Sequence, residues 1–591
     1  MHPAERKIVY FSMEYGLDPR LYIYSGGLGV LAGDTLKSCA DLKVPVVAVG
    51  LMYRDGYFKQ SFDAHGWQMD ERRFWKPKEV PGLKLLDTQV EVSFKDKSTA
   101  KVRIWQYDVI GQTGGVLPLL LLDTHFEQNQ GRLKEITAEL YRSDDLWWRM
   151  AQEVVLGWGG VLALQALGYS GIEKLHLNEG HAAFAIPAWL KQKGQDLKKL
   201  TPESFQEAAK CFAFTTHTPV PAGHDRFSGP LAESVLDPEL FDFVSRFGRE
   251  RGNEHFINLT HIALHAGYVN AVAKKHGAVS QAMFPWRPGV DAITNGIHAG
   301  TWVSAPLAEF FNRHLPGWKQ DPERLRELLT RRLDSNLRRD LWLAHQQAKT
   351  VMIDQIKVRQ PDCGFEPNVF TVGFARRAAT YKRSDLILSD PDRLQRIALE
   401  HGAIQLVFGG KAHPRDDGGK QVLQRIIQKS KEWQRGPVRV VFIEDYDMDW
   451  GGWLTSGADI WLNNPVPPLE ASGTSGMKAA INGVPSLSTA DGWWLEGANA
   501  DRCGWTFGQV PVTDQLPNEF RYQEDAANLY FYLMDIVRMY YESIQNPSAQ
   551  VSSAWIDKMV DAIGLNGSYF NTHRMVKEYV GKAWQNVLVP S

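Results

Sequence analysis

Cysteine and net charge are both scarce in this chain of 591 residues. The four cysteines, Cys39, Cys211, Cys363 and Cys503, lie far apart and share no metal-ligand spacing. They read as reduced thiols of a cytoplasmic protein, which argues against a disulfide framework and gives no metal site. A net charge of −2 and a pI near 6.8 leave no basic field to hold nucleic acid or an anionic membrane, so any anion must be bound by a local arrangement. No uninterrupted apolar stretch reaches the length that spans a bilayer, and Met1 to Lys7 run straight into an expected strand without the apolar segment of a signal peptide. Low-complexity tracts and short internal repeats are absent as well. The expectation is a soluble cytoplasmic protein with neither nucleic acid nor membrane among its partners.

What is present is ordinary globular composition, 23% charged and 44% hydrophobic, over a length that suits two large domains. Short runs rich in valine, isoleucine, leucine and phenylalanine alternate with longer helical patterns, as in parallel sheets covered by helices. Strands are expected at residues 8–12, 44–49, 117–122, 174–177 and 211–215, and in a second series at 369–374, 405–408, 439–443 and 459–462. Between the two series, Thr294-Asn295-Gly296-Ile297-His298 is turn-like and precedes a long charged helical stretch from about 322 to 358. This places a boundary near residue 300, with domains at 1–300 and 301–591. The helical stretch 572–587 is expected to pack back on the first domain. In open parallel sheets ligands bind beyond the carboxyl ends of the strands, so the site should be built from loops.

The loop Glu470-Ala471-Ser472-Gly473-Thr474-Ser475-Gly476-Met477-Lys478 joins three properties. Its glycines let backbone N–H groups approach an anion, its hydroxyls can bond one, and an amine ends the run. An amine with a free pKa of roughly 10.4 loses its proton more readily when partly desolvated, and can then attack an aldehyde such as that of pyridoxal phosphate. Taken alone, the segment reads first as a glycine-rich turn ending in a solvated lysine. Ser25-Gly26-Gly27-Leu28-Gly29 opens a helical pattern whose N–H groups and dipole suit an anion. Arg376-Arg377-Ala378-Ala379-Thr380-Tyr381-Lys382-Arg383 sets four cations just past an expected strand, as a phosphate cradle or as a solvated charge cluster. Asn178-Glu179-Gly180-His181 and Thr215-Thr216-His217-Thr218-Pro219 each put a histidine after a strand, among amides and hydroxyls that suit sugar hydroxyls. A single histidine in such a place is more often structural. The twenty tryptophans offer faces for sugar rings, but most tryptophans serve cores, and only Trp302 is assigned a role.

In this order the segments resemble the α-glucan phosphorylase family, pyridoxal-phosphate enzymes that act on glycogen, starch and maltodextrins. The resemblance runs from Tyr10-Phe11-Ser12-Met13-Glu14 through the glycine loop, the histidine segments and Thr294-Asn295-Gly296-Ile297 to the cationic segment and Lys478. It implies the compact form of the family: an α/β fold of two Rossmann-like domains facing a cleft (GT-B type), without the N-terminal phosphorylation switch of longer animal enzymes. It also implies that Lys478 holds pyridoxal 5'-phosphate as a Schiff base, with Trp302 and Tyr446 near the ring, and that Thr474, Ser475, Gly27 and Arg376 surround its phosphate. Arg377 and Lys382 then match the residues for substrate phosphate, and Glu470, Ser472, Gly473, Asn295, His217 and His181 those for the sugar. The sequence departs from the long forms at Asp447, where arginine is usual, at Ala379-Thr380 in place of His-Glu, and at Glu179-Gly180 in place of Asp-Thr.

The implied activity is reversible phosphorolysis of an α-1,4-glucan by inorganic phosphate, giving α-glucose 1-phosphate with retained configuration, in a protein that can form a homodimer. Two phosphates at close range repel, so the cations are a physical requirement of that chemistry. Two alternatives have distinct signatures. A nucleotide-sugar glycogen or starch synthase has no use for Lys478 and carries a lysine before its glycine loop, where Tyr24-Ser25 stand here. A non-catalytic glucan-binding protein has no need of Arg377 and Lys382.

Overall fold

A computed structural model describes residues 1–142, 145–220, 223–508, 518–545 and 553–585. Contacts divide the chain into two compact units: Met1–Phe58, Arg72–Thr294 and Met575–Ser591 form the first, and Lys59–Glu71 with Asn295–Arg574 the second. Each of the nine expected strands is present, with ends displaced by at most two residues; the run expected at 44–49, for example, is Val46–Leu51.

The sheet of the first unit runs in the order Asp291–Ala292, Tyr268–Ala271, Phe212–Thr215, Lys174–Asn178, Ile8–Ser12, Val46–Leu51, Val116–Asp123, Thr99–Ile110, Leu83–Ser93. Its first seven strands are parallel and the last two join antiparallel. Ile8–Ser12 and Val46–Leu51 are buried along their whole length, which is why they read as continuous apolar runs. Leu83–Ser93 mixes apolar positions with exposed charges, a half-buried pattern that continuous hydrophobicity does not pick out. The strand order reverses at Ile8–Ser12, so the loop after its neighbour Lys174–Asn178 stands at a topological switch point.

The second unit has six parallel strands in the order Val438–Ile443, Ile404–Gly409, Phe370–Ala375, Ile460–Asn463, Ser486–Thr489, Gly504–Phe507. Counted along the chain this is 3-2-1-4-5-6, the doubly wound order, with its switch point between Phe370–Ala375 and Ile460–Asn463. The segment Lys59–Glu71 lies in this unit although it is distant in sequence. Gln60 Nε2 donates to the Gly410 carbonyl at 3.0 Å, Gln68 exchanges two bonds with the Ala412 backbone at 2.9 Å, and Lys420 pairs with Asp70 at 2.7 Å.

The helical stretch expected from 322 to 358 is two elements, a 3₁₀ segment Pro322–Arg331 and an α-helix Ser335–Arg359. Asp334 caps the second, accepting the backbone N–H groups of Asn336 and Leu337. At the C-terminus, the helix Thr572–Lys582 enters the first unit at Met575. There Tyr579 meets Thr215 and Asn270, each at 3.2 Å, and Trp584 Nε1 donates to His176 at 3.1 Å. Residues 586 and 587 of the expected helix lie outside the described residues. Among the described residues no helix is long and apolar enough to cross a membrane.

A buried polar knot pins the helix Ser335–Arg359 to the sheet of the second unit. Lys349 Nζ, fully enclosed, donates to Asp459 Oδ2 at 2.5 Å and to the Val369 carbonyl at 2.7 Å, while His345 meets Asp459 Oδ1 at 3.0 Å. Burial alone would raise the Asp459 carboxyl, but Lys349 and His345 outweigh it and hold it below the usual carboxylate range. Its stabilisation is therefore complete above the ordinary carboxylate pKa and is lost as the pH falls through the depressed value. Lys349→Met is expected to destabilise this unit by about 3–5 kcal/mol, because it strands a buried charge, and Lys349→Met with Asp459→Asn to recover most of the loss. Denaturant unfolding followed by tryptophan fluorescence reads both, and equal losses in the single and double variants would contradict the pairing.

Candidate active site

In the second unit, two loops leave adjacent strands at the switch point. Phe370–Ala375 runs directly into Arg376 and Arg377, and Ile460–Asn463 leads to the segment Glu470 to Lys478. The Glu470 carboxylate accepts hydrogen bonds from Arg376 Nη2 and Lys382 Nζ on one oxygen, and Arg376 Nη1 donates to Asn463 Oδ1. The side chains of Arg376, Lys382 and Glu470 are only 7, 8 and 8% exposed, so these ions meet with little water between them. Burial would push the Glu470 carboxyl up; Arg376 and Lys382 reverse this and hold it at about 2. Glu470 is ionised at any working pH.

The backbone of Glu470 is held by a second carboxylate. Glu470 N–H and Gly492 N–H each donate to Asp491 at 2.9 Å. Gly473 has φ of +73°, and a β-carbon there would approach Glu470 to 3.5 Å and Arg376 to 3.6 Å, so the turn needs glycine for its conformation. Ser472 donates from Oγ to the Gly473 carbonyl at 3.1 Å. Arg377 stays exposed beside this cluster; burial and the Arg377 charge together hold His413 below the usual imidazole range. Arg383, the fourth cation of the segment, serves the fold instead, pairing with Asp525 at 2.7 Å and donating to the Asn464 carbonyl at 2.9 Å.

Lys478 lies in the helix Ser475–Ile481, buried, with its amine 3.5 Å from the centre of the Trp302 ring. Asn482 ties the two together, since its Nδ2 donates to the carbonyls of both Trp302 and Lys478 at 2.8 Å. Thr474 is the N-cap residue and makes no side-chain capping bond, while Ser475 Oγ accepts from Trp461 Nε1 at 3.1 Å. Tyr446 is enclosed, which pushes its phenol upward. The neighbouring Asp447 caps the helix Met448–Gly457 by accepting the Trp450 N–H at 3.0 Å, which gives the aspartate at that position a local structural cause. Asn295 is buried, and its side-chain oxygen has no hydrogen-bond partner among the described residues.

In the first unit, Gly27 is the first residue of the helix Gly27–Asp41. The glycine loop already holds an anion, because the Glu14 carboxylate accepts the N–H groups of Ser25 at 2.6 Å and Gly26 at 3.2 Å. His181 Nε2 meets Asp225 at 3.2 Å, and Asp225 also holds Arg149 at 2.7 Å. Glu153, His181 and Asp225 present ligand atoms within 4.8 Å of one another, as a metal site would. Arg149 supplies the positive charge there instead, and burial together with Asp225 pushes the Glu153 carboxyl well up.

Burial lowers His217 to about 4, so its ring is neutral near pH 7. A directional chain fixes which nitrogen carries the proton. Ser12 Oγ donates to the Glu14 carbonyl at 3.0 Å, Asn178 Nδ2 donates to Ser12 Oγ at 3.1 Å, and the Asn178 Oδ1 that remains faces His217 Nε2 at 2.6 Å. Nε2 is then the donor and Nδ1 the acceptor.

Arg376, Lys382, Glu470, Ser472 and Gly473 thus gather on one side of the sheet of the second unit, and Lys478 packs on Trp302, while His181 and His217 follow neighbouring strands of the first. Sequence reasoning missed Asn463, Asn482 and Asp491. Asn463 ends the strand at the switch point and was legible from its place; Asn482 and Asp491 are ordinary polar residues whose partners only the fold supplies.

Against this geometry, comparison with known proteins is direct. The family model described as carbohydrate phosphorylase matches residues 17–110 and 247–500, more than half of the chain. A maltodextrin phosphorylase of Thermococcus litoralis is 37% identical, covering 99% of this chain and 71% of the relative. Glycogen phosphorylases of Mycobacterium tuberculosis and Aquifex aeolicus are 37% and 36% identical, covering 97% and 99% of this chain and 70% and 87% of their own lengths. Glucan-phosphorylase motifs and a doubly wound site are therefore joined by near full-length similarity, and the chain belongs to the carbohydrate phosphorylase family.

Proposed function

We propose that this protein is a pyridoxal-phosphate-dependent α-1,4-glucan phosphorylase, which transfers the terminal glucosyl unit of glycogen, starch or a maltooligosaccharide to inorganic phosphate with retention, giving α-D-glucose 1-phosphate. The observation that carries this reading is the buried Glu470 bonded to both Arg376 and Lys382 on the loop that ends in Lys478. A binding protein for neutral sugars has no use for cations desolvated in this way. The relatives, named maltodextrin and glycogen phosphorylases, support the substrate class.

The residues suit pyridoxal phosphate. The Lys478 amine rests on an aromatic face in a buried setting, the helix it belongs to begins at an uncapped Thr474, and a guanidinium lies close to Gly473. Lys478 would hold the aldehyde end, Trp302 and Tyr446 would flank the ring, and Thr474, Ser475, Gly27 and Arg376 would serve the phosphate. When bound, the group supplies a phosphate that shares a proton with the substrate phosphate. Arg377 and Lys382 would hold inorganic phosphate and offset its repulsion from that neighbour. Glu470, ionised, would accept a sugar hydroxyl; Ser472 and Gly473 would line the same side; and the unpartnered Asn295 oxygen would accept another. His217, neutral with Nδ1 unprotonated, and His181 would complete the sugar site. No carboxylate pair is needed as nucleophile and acid, which separates the scheme from a retaining glycosidase.

Lys478→Ala is expected to give folded protein that lacks both the cofactor absorbance band and phosphate-dependent release of glucose 1-phosphate from maltoheptaose; appreciable phosphorolysis by this variant would overturn the assignment. Arg377→Ala should raise KM for phosphate at least tenfold while KM for glucan changes less than threefold. Initial rates with each substrate varied in turn decide this, and an unchanged phosphate KM removes Arg377 from the site.

A further inference from the structure

The loop after the strand Lys174–Asn178 contains a backbone oddity that the mechanism above does not use. Glu179 has φ of +76° and ψ of 166°, a region occupied almost solely by glycine, and one where a side chain persists only when its surroundings hold it. The surroundings do so. Glu179 Oε2 accepts the His217 backbone N–H at 2.8 Å and the Thr218 hydroxyl at 3.0 Å, and Oε1 accepts the Gly180 N–H at 3.0 Å. Glu179 N–H itself donates to the Thr215 carbonyl at 2.9 Å. The carboxylate is buried, and His224, His217 and His181 around it outweigh burial and keep it below the usual range.

We infer that Glu179 is a positioning residue for glucan binding, one whose strained backbone turns a carboxylate into a bridge between the loop 178–181 and the segment that carries His217. This rests on the phosphorylase reading, in which His217 meets the sugar. The geometry requires an anion. Three donors converge on two oxygens, so an amide in place of the carboxylate must turn an NH₂ toward at least one of them. An aspartate is one methylene too short to meet the donors on both sides. Gly180 belongs to the same device, since a β-carbon there would come within 2.7 Å of Thr260 Oγ1, which is itself engaged with His224 at 3.0 Å. Glu179 thereby fixes the backbone of His217 while Asn178, its neighbour, fixes the tautomer of the ring.

The test uses the full-length protein loaded with pyridoxal phosphate, as Glu179→Gln and Glu179→Asp. Both are expected to lower kcat/KM for maltoheptaose at least tenfold, chiefly through KM, while KM for phosphate stays within twofold and the melting temperature changes little. Selective ¹⁵N-histidine NMR without substrate should show the His217 ring and amide signals displaced in both variants. Unchanged glucan kinetics, or a loss shared equally by phosphate and glucan, would overturn the inference. If the wild-type protein performs no phosphorolysis, the functional reading fails by itself; the NMR comparison then still decides whether Glu179 holds His217, and unmoved signals reject it.

Discussion

Two cations and one carboxylate can be buried side by side only if each makes up for the water the others have lost. Glu470 between Arg376 and Lys382 meets that condition, and much of the second unit is arranged to keep it. The ions stand beyond the carboxyl ends of two adjacent parallel strands, at the point where the strand order reverses. Asn463 and Asp491 hold the members from outside the charge cluster, one through a guanidinium and the other through the backbone of the loop. A similar logic, with opposite purpose, operates beneath the sheet, where Lys349 and Asp459 neutralise each other and join a long helix to the fold.

The first unit treats charge differently. Its anion-ready glycine loop is engaged with Glu14, and its would-be metal triad is balanced by Arg149. Two of its histidines are held from behind, His181 by Asp225 and His217 by Asn178 and Glu179. Such contacts fix how each ring is oriented. Two positions singled out in the sequence acquire physical meaning at this level: Asp447 caps a helix, and Glu179 bridges to the segment of His217 close to the Thr260 hydroxyl.

The two central strand series were legible because parallel strands buried on both faces are mostly apolar, as Ile8–Ser12 and Phe370–Ala375 are apart from Ser12 and Thr371. Leu83–Ser93 and Thr99–Ile110 were not, since one face is partly wet and their apolar residues alternate with charge. The motifs announced phosphate chemistry through residue types that are costly to bury. They did not separate Arg383, which braces the fold, from Lys382, which meets Glu470, because adjacent cations look alike until the backbone turns; here Arg383 adopts a left-handed φ of +50° and sends the two side chains to different partners.

By itself the sequence determined the α/β class, the alternation that builds parallel sheets, and the set of loops able to handle a phosphorylated ligand, because periodicity and residue chemistry are local properties. Only the tertiary structure decided that Lys59–Glu71 joins the second unit, that Glu470 takes both cations, that Asn482 links Lys478 to Trp302, and that Glu179 reaches His217. Those outcomes depend on which strand ends become neighbours, and contact between residues tens or hundreds of positions apart leaves no periodic trace in the chain.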